Sequence, residues 1–167
     1  MSKRDLSKYL SSLSKKELEN QVEELYDRLK EVRQFYNFVF NPKEEKMVEE
    51  AKFKINKEYF PQGKRKPKRR RSVAQKHIKN FIKLGVEPSL IADVMLYNIE
   101  VAQAACAEKV ITQDAFYKSM LKSFQDTIKY LDSKNLRQKF KERILKIVSN
   151  TVSQNWLNKY GFDDALN

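Results

Sequence analysis

Residues that break helices are scarce in this chain, and this scarcity restricts its fold more than any other feature. Three glycines and four prolines are spread through 167 residues. Tight β-hairpins usually need glycine or asparagine at positions of positive φ, and no useful stretch alternates apolar and polar residues as a half-buried strand does. The sequence therefore predicts an all-α fold: a compact bundle or a short solenoid-like array of six to seven helices.

Capping motifs and apolar spacing indicate where the helices begin and end. Ser14 and Glu17 form a capping box, and "SVAQ" at Ser72–Gln75 forms a second one. Gly85 is well placed to end the helix after "SVAQ" in a left-handed conformation. Residues 88–108 carry the fewest charges, so we expect this helix to be central and most buried. The last helix is expected to run from near Asn135 to just before Gly161.

Apolar residues between 18 and 39 recur in alternating steps of four and three, the spacing of a heptad repeat. Two interpretations are open. The 18–39 helix packs inside a helical bundle, or it forms a surface for a second copy or another protein. We therefore expect a monomer or a weak homodimer, with a protein partner as an alternative function.

The domain organisation follows from length and composition. Apolar residues make up 41% of the chain, which is enough for a core. We expect a single helical domain over residues 1–167. A basic loop at 61–71 lies within it, as a candidate boundary between an N-terminal helical hairpin (1–60) and a C-terminal helical core (72–167).

Positive charge is concentrated in this basic loop, which accounts for seven of the net twelve charges and contains no acidic residue. Pro61 and Pro67 keep it extended, and a predicted helix N-terminus follows it, where unpaired N–H groups favour anions. Such a segment can lie along a phosphate backbone. We predict a non-catalytic protein that binds nucleic acid, as RNA or non-specific DNA, or another polyanion. The alternative is that the loop is only a solvated connector between two helices. The candidate contacts are Lys64, Arg65, Lys66, Lys68, Arg69, Arg70 and Arg71, extended by Lys139, Arg143 and Lys146 at helical spacing.

Catalysis has little support in the sequence. His77 is the only histidine and Cys106 the only cysteine, and no glycine-rich phosphate loop is present. Asp93 and Glu100 lie two turns apart on the most apolar helix, where carboxylates with raised pKa values could serve a hydrolase or a metal-dependent enzyme. The alternative is a solvated stripe or pairing with a lysine of a neighbouring helix. We expect no enzyme and no cofactor.

The N-terminal residues lack the apolar segment of a signal peptide. The most apolar long stretch, 90–107, is interrupted by four polar or charged residues and is judged too polar to span a bilayer. The sequence therefore predicts a cytoplasmic protein without a membrane partner.

Two segments carry a resemblance: "FNPKEEKMVEEAKFKINKEYFP" and "RRSVAQKHIKNFIKLGVEPSLIADVMLYNIEVAQ". They resemble a family of small, uncharacterised bacterial proteins catalogued only as a domain of unknown function, over most of the chain. The resemblance implies a compact bacterial cytoplasmic protein. It implies no activity, cofactor or site.

Overall fold

The computed structural model describes residues 2–167, which are 75% helical and form no strand. This confirms the all-α fold. The described chain contains nine helices, more than the six to seven predicted, because two long predicted helices are each divided. They are α1 (Lys3–Ser11), α2 (Lys15–Arg28), α3 (Lys30–Phe40), α4 (Glu44–Tyr59), α5 (Arg71–Leu84), α6 (Pro88–Glu108), α7 (Asp114–Ser133), α8 (Lys141–Ser153) and α9 (Lys159–Asp164).

The contacts divide the chain into two compact units, the first ending at Lys43 and the second running from Glu44 to Asn167. Helix α4 belongs to the second unit because its apolar face packs on α6. The division therefore lies before α4. The sequence had suggested the basic loop that follows α4.

The first unit is built from α1, α2 and α3. The Ser14–Glu17 capping box is present, with the Glu17 carboxylate accepting from the Ser14 N–H at 2.7 Å. The single helix expected from the heptad repeat is divided at Leu29, which has an extended backbone (φ −113°, ψ 115°). Helices α2 and α3 contact each other instead, and the Tyr26 hydroxyl donates to the Asn37 side chain at 3.0 Å.

The second unit surrounds α6, as the low charge of that segment predicts. Helices α4, α5, α7 and α8 all pack on it, and ten of its residues are buried. The short α9 closes the unit against α7, where a Cβ at Gly161 would come within 2.8 Å of Leu121 Cδ2. The Phe162 ring lies beside Phe124 there, with centroids 5.0 Å apart.

Three helices end on a residue in the left-handed conformation. Gly85 ends α5 at φ 77°, as predicted, and Asn135 and Asn155 do the same after α7 and α8 at φ 55° and 50°. In each case the next residue donates its N–H to a carbonyl five positions back. Asn155 therefore divides the last predicted helix into α8 and α9.

The predicted capping box at Ser72 does not form. Helix α5 begins at Arg71, with Arg70 as its N-cap residue and no side-chain cap. Ser72 is therefore already inside the first turn, so its hydroxyl is not at the position from which a cap acts.

Among residues 2–167, helix α6 is long enough and apolar enough to cross a membrane, judged by length and composition alone. The sequence-based judgement that this segment is too polar was therefore wrong. However, 61% of its most apolar stretch is buried inside the structure, so packing of the four surrounding helices accounts for its apolar character.

Candidate nucleic-acid interface

Four cations of the basic loop lie free on the surface. The side chains of Lys64, Arg65, Lys66 and Lys68 are exposed. None of them forms an ion pair within the described part of the chain. Of the four, Lys68 lies near enough to Glu58 to help lower the pKa of that carboxylate.

Arg70 anchors the end of the loop to α4. Its guanidinium donates to both carboxylate oxygens of Glu58, at 2.7 and 3.0 Å, and its backbone N–H donates to the same carboxylate at 3.2 Å. The Arg70 hydrogen bonds lower the pKa of Glu58 despite its burial, so this carboxylate is charged at neutral pH. Such a two-pronged pair fixes direction as well as position.

Arg71 anchors the start of α5 to α7. Its guanidinium donates to the Ser123 hydroxyl at 2.8 Å and to the Asp126 carboxylate at 3.1 Å. Lys122 pairs with the same carboxylate at 2.9 Å. Arg71 is therefore held by the fold and does not extend freely into solvent.

Arg69 is partly buried and has a left-handed backbone, at φ 54°. This conformation costs a residue other than glycine or asparagine about 1 kcal/mol. Its N–H donates to the Glu58 carbonyl at 2.9 Å, while its Nε is buried without a partner among residues 2–167. Arg69, Arg70 and Arg71 thus fix the loop's end, while the first four cations remain free.

Three exposed lysines lie on the two helices that the loop connects. Lys57 lies in the last turn of α4, with its ammonium 4.2 Å from the centre of the Phe53 ring. Burial lowers the pKa of His77, and the ammonium groups of Lys54 and Lys76 lower it further. The Glu50 carboxylate raises the same pKa by a smaller amount. We define the basic surface as Lys64, Arg65, Lys66 and Lys68 with Lys54, Lys57 and Lys76.

Arg143, predicted to contact phosphate, lies instead between the two carboxylates predicted as catalytic. It donates to Asp93 at 2.7 Å and to both oxygens of Glu100 at 2.8 Å. Lys52 of α4 pairs with Asp93 from the other side at 2.5 Å. The cluster joins α4, α6 and α8, so Arg143 already has its anionic partners.

This cluster also weakens the catalytic hypothesis. Burial raises the pKa of Asp93, but hydrogen bonds from Lys52 and Arg143 outweigh burial and hold that pKa below its usual value. A general acid needs the opposite shift. No group of three His, Cys, Asp or Glu side chains suited to a metal ion occurs among the residues that the structure describes.

Lys139, of the second predicted basic set, lies near the opposite end of α6 from Arg69. The pKa of Glu87, at the start of α6, is lowered mainly by the Ser89 hydroxyl and also by Lys139. Burial raises the pKa of Cys106, in the last turn of α6, and the Arg69 guanidinium opposes that shift. These two positions on α6 lie about 28 Å apart at roughly 1.5 Å per residue. Lys146 is exposed on α8.

The three lysines on the flanking helices were not predicted from the sequence. Lys54 and Lys57 had a usable signal, since they lie three positions apart and therefore on one face of α4. No sequence signal identifies Glu58 or Asp126 as the acidic anchors, because their partners are distant in the chain or lie beyond a loop.

Comparison with known proteins agrees with the resemblance in the sequence. A family model described as "Family of unknown function (DUF6155)" matches residues 1–167. The chain belongs to this family. No curated protein and no solved structure matches the chain. Membership of the DUF6155 family therefore assigns no activity to it.

Proposed function

We propose that the protein is a non-catalytic binding protein for a polyanion, and that nucleic acid binds the basic surface through its phosphates. The observation that carries this proposal is that the two ends of the loop differ in how their cations are paired. Arg70 and Arg71 are held by acidic partners, whereas Lys64, Arg65, Lys66 and Lys68 are exposed and unpaired within residues 2–167.

Anchoring the loop at its end favours binding. A loop fixed by two ion pairs loses less conformational freedom when it binds than a free tail does. The first turn of α5 has no side-chain cap, so its N–H groups favour an anion beside the loop. Phosphate contacts carry no base information, so this surface supports binding without sequence preference.

The salt dependence of binding tests the proposal. The four-site variant Lys64→Ser, Arg65→Ser, Lys66→Ser and Lys68→Ser removes up to four phosphate contacts. Each contact contributes a slope of about −0.9 on duplex DNA and about −0.7 on single strands when log affinity is plotted against log salt. We expect the variant to flatten the parent's slope by roughly 3. Fluorescence anisotropy with labelled duplex DNA and single-stranded RNA measures it.

The control removes four exposed lysines elsewhere in the second unit. Lys134, Lys139, Lys141 and Lys146 are exposed, and changing all four to serine alters the net charge by the same amount. We expect this control to keep most of the parent's slope. If both four-site variants flatten the slope equally, binding depends on net charge and the basic surface is not the interface.

A second function is favoured by the first unit. None of its helices has a buried residue, although nine of its large apolar side chains are exposed, including Leu25, Leu29 and Phe40. Apolar surface on this scale usually marks an interaction site. We propose that the heptad residues that stay exposed, Val22, Leu25, Leu29 and Val39, associate with a second copy of the chain, since the same apolar surface on two chains is self-complementary.

A further inference from the structure

A groove lies between α5 and α7 on the side of the second unit where both helices rest on α6. It encloses about 250 Å³. Helices α5 and α7 each pack on α6, and the groove is the space left between them. Met95 and Asn98 of α6 form its floor. We call it the α5–α7 groove.

The walls of the groove are mostly apolar. Ala74, Ile78 and Ile82 line it from α5, and they lie on one face because they are spaced by four residues. Ile82 is 51% exposed. An apolar groove with a few convergent polar groups is the usual form of a small-molecule site.

The floor of the groove contains a polar side chain that can pair with a ligand. Asn98 is only 3% exposed as a residue, and its carboxamide makes no hydrogen bond with any residue that the structure describes. It is not one of the fully buried polar groups without a partner, so its amide atoms are open to the groove that it lines. A ligand with an adjacent acceptor and donor can therefore replace water on this carboxamide.

The rim of the groove carries positive charge. Lys79 lines the α5 side and Arg71 one end, while Asp126 lies opposite and is shared by Arg71 and Lys122. Lys83 lies one turn beyond Lys79 on α5. Of the charged residues that line the groove, Arg71 is paired with Asp126, whereas Lys79 has no ion pair among the described residues. Lys79 therefore favours a ligand that bears an anionic group.

We propose that the α5–α7 groove binds an unstacked nucleobase, with Asn98 pairing to its hydrogen-bonding edge and the rim cations meeting its phosphate. A cavity of about 150 Å³ holds one benzene ring, so this groove has room for a flat ring system of roughly ten non-hydrogen atoms, the size of a purine. Asparagine pairs with the adjacent donor and acceptor of adenine. Ile78 and Ile82 on the α5 side and the aromatic Tyr130 on the α7 side provide surfaces for stacking.

The ligand is therefore a free nucleotide or a base of a single-stranded nucleic acid. A base inside a duplex cannot reach Asn98 without leaving its stack. The inference builds on the proposed function where it concerns single strands, because the basic surface would then hold the phosphates of the same strand.

Binding of AMP, GMP, CMP and UMP by the full chain tests the proposal, with calorimetry for affinity and NMR for the Asn98 side-chain amide signals. We expect AMP to shift those signals. We expect Asn98→Leu to weaken binding of AMP and of an eight-nucleotide oligo(A) by roughly ten- to a hundredfold, the range typical of one two-bond contact to a base. Duplex DNA should bind this variant as it binds the parent.

A second variant avoids any change in the core. Ile82→Glu places a negative charge at the mouth of the groove, and Val152→Glu is its control, because Val152 is 55% exposed on α8. We expect AMP binding to fall at least tenfold in the first variant and to be unchanged in the second. If no mononucleotide shifts the Asn98 signals, or if Ile82→Glu binds AMP as the parent does, the proposal is wrong.

The four-site loop variant separates this inference from the proposed function. It should weaken duplex DNA binding and leave AMP affinity within twofold. AMP binding at Asn98 together with unchanged duplex binding by the loop variant would support the groove and overturn the basic surface. The reverse pattern would overturn the groove alone.

Discussion

At the scale of single residues, the partners of a charged side chain decide what it can do. Arg143 and Lys146 lie three positions apart on α8 and look equivalent in the sequence. Arg143 is surrounded by Asp93 and Glu100, which raise its pKa, whereas Lys146 is exposed. Removing Arg143 would leave two partly buried carboxylates close together with only Lys52 to compensate them.

The first prediction concerns Arg143→Ala. Breaking a fully buried pair costs about 3–5 kcal/mol; because these side chains are about a third exposed, we expect a loss of about 2 kcal/mol at pH 7. The folded pKa of Asp93 lies below its unfolded value of 3.8. Its stabilising effect is therefore complete above that value and is lost as the pH falls through the folded pKa.

Urea unfolding at pH 7 and pH 3 measures this loss. The difference between Arg143→Ala and the parent should shrink at pH 3, because pH 3 lies below the unfolded pKa of Asp93, 3.8, and protonation then favours the unfolded state. Lys146→Ala is the control and should change stability by less than about 0.5 kcal/mol. A cost for Arg143→Ala that is the same at both pH values would contradict the ion-pair explanation.

At the scale of elements, the sequence predicted helix starts and glycine stops well because these are local. The Ser14–Glu17 box and Gly85 act through residues within a few positions. The break at Leu29 was missed because no glycine or proline accompanies it. Asn155 was missed because asparagine takes the left-handed conformation only in some contexts. The Ser72 box failed because the start of α5 is fixed by the distant partners of Arg70 and Arg71.

The second prediction concerns the heptad residues of α2. Leu25 and Leu29 are each 46% exposed, so changing both to lysine removes little packing and should leave the second unit's thermal midpoint unchanged. It should abolish self-association of the parent, because charges then replace the apolar centre of the interface. Sedimentation equilibrium over a range of protein concentrations measures this.

Leu145 and Leu157 provide the matched control for that experiment. Both are exposed, at 49% and 69%, and lie in the second unit. Changing them to lysine alters the charge equally and should leave association intact. A parent that sediments as a monomer at every concentration would rule out the second copy as the partner of α2 and α3.

At the scale of the whole molecule, the sequence predicted the location of charge but could not predict which charges are free. The second unit carries 25 basic and 15 acidic residues, and its ion pairs join positions up to 55 residues apart. Such contacts depend on how α4, α7 and α8 are arranged around α6. The unpaired Asn98 likewise becomes visible only once α5 and α7 are placed, since its neighbours in the sequence are those of an ordinary core helix.

The third prediction concerns the division at Lys43. Every buried apolar side chain in residues 2–167 lies at or after Val48, so a chain of residues 44–167 contains the complete core. We expect it to fold with a thermal midpoint within a few degrees of the parent's and with the same salt slope for DNA. Residues 1–43 alone should be weakly helical, because isolated helices of fewer than about 15 residues are marginal in water. Circular dichroism of both fragments measures this, and an unfolded 44–167 fragment would mean that the first unit is required for the core to form.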